Sequence, residues 1–160
     1  MFTDIMPEYA LVKLNWYETP GFNMTLALGC VLVFLSMIPV AVIRFIRSRR
    51  SGSPSRGERT ASRINLAISL LNLLFLVAIA LWFRPMHPSE LHDIPQVIEI
   101  AMTLGVLAAV LTVGALVYTV LAWKDRYWGV AYRVYYTLVT LAAVAFVWFL
   151  NYWNWLGWRY

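Results

Sequence analysis

Charge is scarce in this chain, and what there is lies bunched. Of 160 residues only 13% are charged while 61% are apolar, against roughly a quarter and a half in an ordinary soluble domain. Long intervals therefore carry no charge at all. That distribution excludes a water-soluble globule and suits a bilayer, where each charged side chain at the centre costs about 2.5 kcal/mol or more. Cysteine is nearly absent as well. Cys30 stands alone inside an apolar run, so it can form no intrachain disulfide and reads as a small packing or lipid-facing residue. Catalytic signatures are missing: no Ser-x-x-Lys, Gly-x-Ser-x-Gly or His-Glu-x-x-His run occurs, and no glycine-rich phosphate loop. The two histidines both fall in one connection, not at the depth where a haem between helices would need them. No catalytic residue and no cofactor is expected in the chain as it stands.

A cleavable leader is not expected either. Residues 1–20 set Asp4, Glu8 and Glu18 against a single Lys13, the reverse of a basic leader start, and the first apolar run outlasts the 7–15 residues or so of a leader core. This stretch reads as an extracytoplasmic N-terminal segment, followed by a membrane domain over 21–160.

A spanning helix needs about 20 mainly apolar residues, and four runs qualify. They cover about 21–43, 64–83, 97–123 and 134–153, the first reading GFNMTLALGCVLVFLSMIPVAVI and the last VYYTLVTLAAVAFVWFLNYW. Barrel strands are about ten residues long and alternate apolar with polar; these runs do neither. The expected fold is an all-α integral membrane protein, a four-transmembrane-helix bundle. Pro39 reads as a local bend near the end of the first helix.

Orientation follows from the connections. Seven of the thirteen basic residues lie in the stretch 44–63, a basic, Ser- and Gly-containing loop that belongs in the cytoplasm. Lys124, Arg126 and Arg133 outnumber Asp125 between the third and fourth runs, whereas the connection RPMHPSELHDIPQ is nearly neutral. Both termini are thus expected outside, N-out and C-out. The same placement explains the net charge of +5 without a nucleic-acid partner, which would want a basic face rather than a basic loop. Membrane lipids are the expected surroundings, and Trp and Tyr gather at the borders of the runs as headgroup-level rings do.

Three sets of residues could carry something more. Asn65, Ser69 and Asn72 recur at i, i+4 and i+7 and so share one helix face. They read either as interhelical hydrogen bonding or as a polar lining for an ion or substrate. Ala101, Gly105 and Ala109, at four-residue spacing with Thr112 and Ala115 close by, predict a seam where two helix backbones approach. His87, Glu90, His92 and Asp93 could hold a divalent ion, but their spacing matches no metal motif and a polar outer loop looks the same.

The closing stretch is the most distinctive. Trp148, Phe149, Leu150, Asn151, Tyr152, Trp153, Asn154, Leu156, Gly157, Trp158, Arg159 and Tyr160 resemble the end of the C-terminal membrane region of bacterial serine hydrolases of the beta-lactamase and penicillin-binding-protein-like family. Trp155 departs from the family's usual aliphatic residue. WYETPGF over 16–22 resembles that family's joint between hydrolase domain and first helix, and LLNLLFLVAIAL its second helix. The resemblance implies a non-catalytic membrane anchor or accessory domain, a fragment or split form of an extracytoplasmic hydrolase, in the cytoplasmic membrane of a bacterium. The family's nucleophilic Ser and its Lys belong to the upstream domain, so neither is carried onto any position here. A platform for a lipid headgroup or for the tethered domain, built from Asn151, Tyr152, Trp153, Asn154, Gly157, Trp158 and Arg159, stands beside a plain aromatic belt with an outward-reaching arginine. An independent membrane interaction subunit that packs on another membrane protein, and a small oligomeric transporter lined by Asn65, Ser69 and Asn72, are the alternative functions.

Overall fold

Local stops and starts divide the chain. Pro20 takes the first helical position behind Thr19, where its missing N–H costs nothing, and the Thr19 carbonyl accepts the Asn23 amide at 3.2 Å. Ser55 and Glu58 form a reciprocal cap: the Ser55 hydroxyl accepts the Glu58 amide at 3.3 Å, and the Glu58 carboxylate accepts the Ser55 amide at 2.9 Å. A computed structural model describes residues 19–48, 55–82 and 96–156. It contains four helices, α1 (Pro20–Ser48), α2 (Arg56–Trp82), α3 (Gln96–Lys124) and α4 (Val130–Tyr152). Among the described residues there is no strand.

The helices outlast the apolar runs. Residues 44–48 and 56–63, expected within the basic loop, are helical, because hydropathy marks where lipid begins and backbone hydrogen bonding continues past it. A 29-residue helix such as α1 rises roughly 43 Å, well beyond a hydrocarbon core of about 30 Å. Pro39 lies inside α1, which continues as helix to Ser48.

All four helices are long and apolar enough to cross a membrane, and their outer surface fits that setting. Leu32, Leu70, Val110, Val113, Val120 and Leu141 are exposed around the bundle. Such a continuous apolar surface would drive association in water, and in a bilayer it meets acyl chains. The chain is a multi-pass membrane protein.

Each helix packs against its sequence neighbours, α1 closes the ring against α4, and α2 also reaches α4 across the bundle. The tightest pair is α2 with α3. Every seventh residue of α3 from Ala101 is an alanine, and Ala101, Ala108, Ala115 and Ala122 are all within 1% of complete burial. Gly105 and Thr112 fill the intervening positions and are also buried, while Ala109 is only half-buried. On α2 the matching stripe is Ala61, Asn65, Ile68, Asn72 and Phe75. Three facing pairs set the antiparallel register: Gly57 with Tyr127, Ile64 with Gly114, and Phe75 with Gly105.

Aromatic edges join the remaining helices. Phe146 of α4 meets Phe34 of α1 at 5.8 Å and Phe75 of α2 at 6.0 Å, both edge-on, the arrangement ring quadrupoles favour. Phe146→Ala should therefore lower the stability of the detergent-solubilised bundle by roughly 2–4 kcal/mol through lost contacts and a cavity. Leu141→Ala, on the exposed surface, should change it by less than about 0.5 kcal/mol. Thermal unfolding followed by circular dichroism separates the two.

Candidate functional site

The end of the bundle where α1 stops and α2 begins carries most of the chain's basic residues and most of its side-chain chemistry. Its organising group is Glu58. One carboxylate oxygen caps α2 through Ser55, and the other accepts the Trp128 amide at 3.1 Å. Trp128 belongs to the short turn between α3 and α4, where α3 terminates by swinging Arg126 into the left-handed region (φ 51°). The Tyr127 amide then reaches back to the Ala122 carbonyl at 3.1 Å, the pattern of a Schellman stop. Trp128 is left-handed too (φ 51°), an unusual state for a bulky residue. Its charge-assisted bond to Glu58 and the packing of its ring hold it there. The Tyr127 ring lies against Gly57, where a methyl would come within 2.7 Å of the phenol carbon Cζ. Desolvation, and after it the Asp125 carboxylate, raise the Tyr127 phenol above its ordinary pKa, so it remains a neutral group at physiological pH.

Around the Trp128 indole gathers a set of rings from α4. Tyr132 meets it edge-on at 4.8 Å, and Tyr136 lies tilted against it at 5.6 Å. Arg44 enters from α1, its guanidinium carbon 3.7 Å from the centre of the Tyr132 ring and 4.7 Å from that of Trp128. Next to it Tyr135 donates to Ser36 at 2.8 Å, since the Ser36 hydrogen is already given to the Val33 carbonyl at 2.7 Å. On the other flank Arg133 lies over the Trp123 ring at 5.2 Å.

Deeper in the same half of the bundle, Asn65, Ser69 and Asn72 are all buried. Asn65 donates to the Tyr136 carbonyl at 3.4 Å, which also receives the Thr140 hydroxyl at 3.0 Å. Thr119 divides its hydrogen between the Ala115 carbonyl at 2.8 Å and Thr140 at 3.2 Å. A polar layer thus ties α2, α3 and α4 together. Several of its atoms, Asn65 Oδ1, Ser69 Oγ and both amide atoms of Asn72, are buried without a hydrogen-bond partner.

At the opposite end, Asn151, Tyr152, Trp153 and Asn154 are exposed, and Gly157, Trp158 and Arg159 lie outside the described residues, as do His87 and His92. Asn154 has a specific backbone task. It sits at φ 53°, its amide returns to the Asn151 carbonyl at 3.2 Å, and the Trp155 amide reaches the Leu150 carbonyl at 2.8 Å. This is a second Schellman stop, with asparagine in the left-handed position that glycine usually takes. It turns Trp155 back so that its ring meets Phe75 at 6.0 Å. Cys30 is buried, with its sulfur 3.5 Å from the Ala142 carbonyl. It lines an apolar groove of about 360 Å³ between α1 and α4.

Reasoning from sequence singled out Asn65, Ser69 and Asn72 but missed Glu58, Arg44 and Trp128 as a unit. The Ser55-x-x-Glu58 pattern is a visible capping signal; the turn that brings Trp128 to Glu58 has no comparable one. Comparison with protein-family models, with curated proteins and with solved structures finds no match to this chain.

Two expected outcomes follow from these geometries. Glu58→Ala removes the cap and the Trp128 anchor together, and should destabilise the purified bundle by roughly 2–4 kcal/mol in a thermal melt. Asn154→Gly should leave the melt unchanged or raised, while Asn154→Val should lower it by about 1–2 kcal/mol. Equal effects of the two Asn154 substitutions would refute the helix-stop role.

Proposed function

We propose that this chain is the non-catalytic membrane anchor of an extracytoplasmic serine hydrolase of the beta-lactamase-like kind. Its basic end would then lie in the cytoplasm of a bacterium and both termini outside. The observation that carries this reading is the behaviour of the family-like closing run. Asn151, Asn154, Trp155 and Leu156 do not hang free: they build a helix stop and fold back onto the bundle, with Trp155 and Leu156 packed on the core. An anchor needs such a firm outer end, because the upstream hydrolase domain would join α1 at Pro20, on that same end of the bundle. Tethering places an enzyme at high effective concentration beside membrane or wall substrates without adding chemistry.

The interior supports an anchor over a transporter. Among the described residues no charged side chain is fully buried, whereas proton relays and ion pathways are built around such groups. The centre is occupied by Phe34, Phe75, Phe146, Ile68 and Leu150.

The test is to tag the C-terminus at the native locus, purify the membrane protein and treat it with a fluorescent active-site serine probe. The reading expects a labelled hydrolase in the purified material. It would be either one polypeptide larger by a whole domain or a separate chain beside an 18.4 kDa band. An 18.4 kDa band with no labelled hydrolase overturns it.

A further inference from the structure

Arg44 sits two residues from the end of the apolar span Gly21–Ile46, a position from which arginine usually reaches out to water or headgroups. Instead its guanidinium turns inward, with aromatic rings of Tyr132 and Trp128 on it at 3.7 and 4.7 Å. Stacking covers the faces of a guanidinium and leaves its in-plane N–H groups to find acceptors. One of them finds none: Arg44 Nη1 is buried without a hydrogen-bond partner. Two more polar atoms around the same indole are in the same state, Trp128 Nε1 and Tyr136 Oη.

An orphaned buried donor costs about 1–3 kcal/mol, and more when charged, so three of them gathered around one ring call for a shared acceptor. Among the described residues none provides it. The two oxygens of Glu58, the carboxylate that anchors this turn, are engaged by Ser55 at 2.9 Å and Trp128 at 3.1 Å. An indole N–H can only donate, a guanidinium can only donate, and a phenol can donate. One shared acceptor would serve all three, and beside a guanidinium the acceptor that also balances charge is an anion. The sign of the surroundings agrees, since Arg56, Arg59, Arg63, Lys124, Arg126 and Arg133 lie at the same end of the bundle. At the level where an apolar span meets the headgroups, the abundant anion is a phosphate, and its oxygens match the planar fork of arginine.

We infer that Arg44, with Trp128 Nε1 and Tyr136 Oη, forms a phosphate-binding site at the basic end of the bundle, one that takes a lipid headgroup phosphate or free phosphate. The site is independent of the anchor reading: it holds or fails whether or not a hydrolase is attached.

The test uses the full chain in detergent and follows its melting temperature against three additives. These are dioctanoyl phosphatidylglycerol, dioctanoylglycerol (the same chains without phosphate) and inorganic phosphate. The phosphatidylglycerol should raise the melting temperature saturably by roughly 5 °C, and dioctanoylglycerol should not. Arg44→Gln should move the half-saturating concentration up at least about tenfold. Trp128→Phe, which keeps a ring under the guanidinium but removes the indole donor, should weaken binding by about threefold or more. Arg59→Gln, an exposed arginine of the same end, should leave the curve in place. If Arg44→Gln fails to fold, Trp128→Phe carries the comparison. Saturation by inorganic phosphate alone, lost in these variants, would assign the site to free phosphate rather than lipid. An unchanged curve in the Arg44 and Trp128 variants, or an equal response to dioctanoylglycerol, overturns the site.

Discussion

Inside a bilayer, lipid tails are as apolar as leucine, so helices gain little by exchanging lipid for one another unless their backbones come close. The close approach of α2 and α3 meets that demand, and it rests on alanine at every seventh position of α3. A seven-residue period is 3.5 residues per turn, slightly under the natural 3.6, which keeps the stripe facing its partner as the helices wind gently around one another. Much else follows from the short distance. With only Gly105 opposite it, the Phe75 ring can lean across to Phe146 and Trp155. With only alanine and threonine opposite, the asparagines of α2 are drawn fully inside.

An alanine repeat alone does not choose its register, because sliding one helix by seven residues preserves the same small-against-small contacts. Features outside the repeat must decide. Most of them are crowded at the basic end: the Tyr127 ring accepts only a glycine at position 57, Glu58 must meet Trp128, and Asn65 must meet the Tyr136 carbonyl. These sit within nine residues along α2. Slipping the helix by one repeat would break all three and expose the Glu58 carboxylate to rings. Polar groups in this bundle thus contribute specificity more than net stability, in line with buried asparagines that fix register in coiled coils.

The four spans were legible because a run of twenty apolar residues has few other meanings. Their ends were not. The stretches 44–48 and 56–63 read as loop because they are charged, and they are helix because charge does not interrupt backbone hydrogen bonding. The seam on α3 was half legible. Ala101, Gly105, Thr112 and Ala115 lie on it, but a step of four residues advances about 40° past a full turn, so Ala109 has already rotated to its edge. The seven-residue step falls short by only about 20° and stays on the seam, at Ala108 and Ala115. Asn65, Ser69 and Asn72 were found by the same helical arithmetic. Arg44 and Trp128 could not be, since their meeting depends on two non-glycine residues taking left-handed backbone states, which no local pattern around Arg126 or Trp128 announces.

The strain at that turn is informative about where the fold concentrates its constraints. Arg126 and Trp128 each give up something on the order of 1 kcal/mol to stand in the left-handed region. Glycine at either position would avoid it. At Arg126 the side chain is exposed and the stop needs only the backbone, so its identity contributes charge to this end. At Trp128 a glycine would keep the amide for Glu58 but lose the indole that Arg44, Tyr132 and Tyr136 share. Through Glu58 and that indole, α2, the α3–α4 turn, α4 and α1 are joined at one point, and polar ties from Ser36 to Tyr135 and from Cys30 to Ala142 also hold α1 to α4. The tolerated strain therefore falls at a residue that helps hold the first helix.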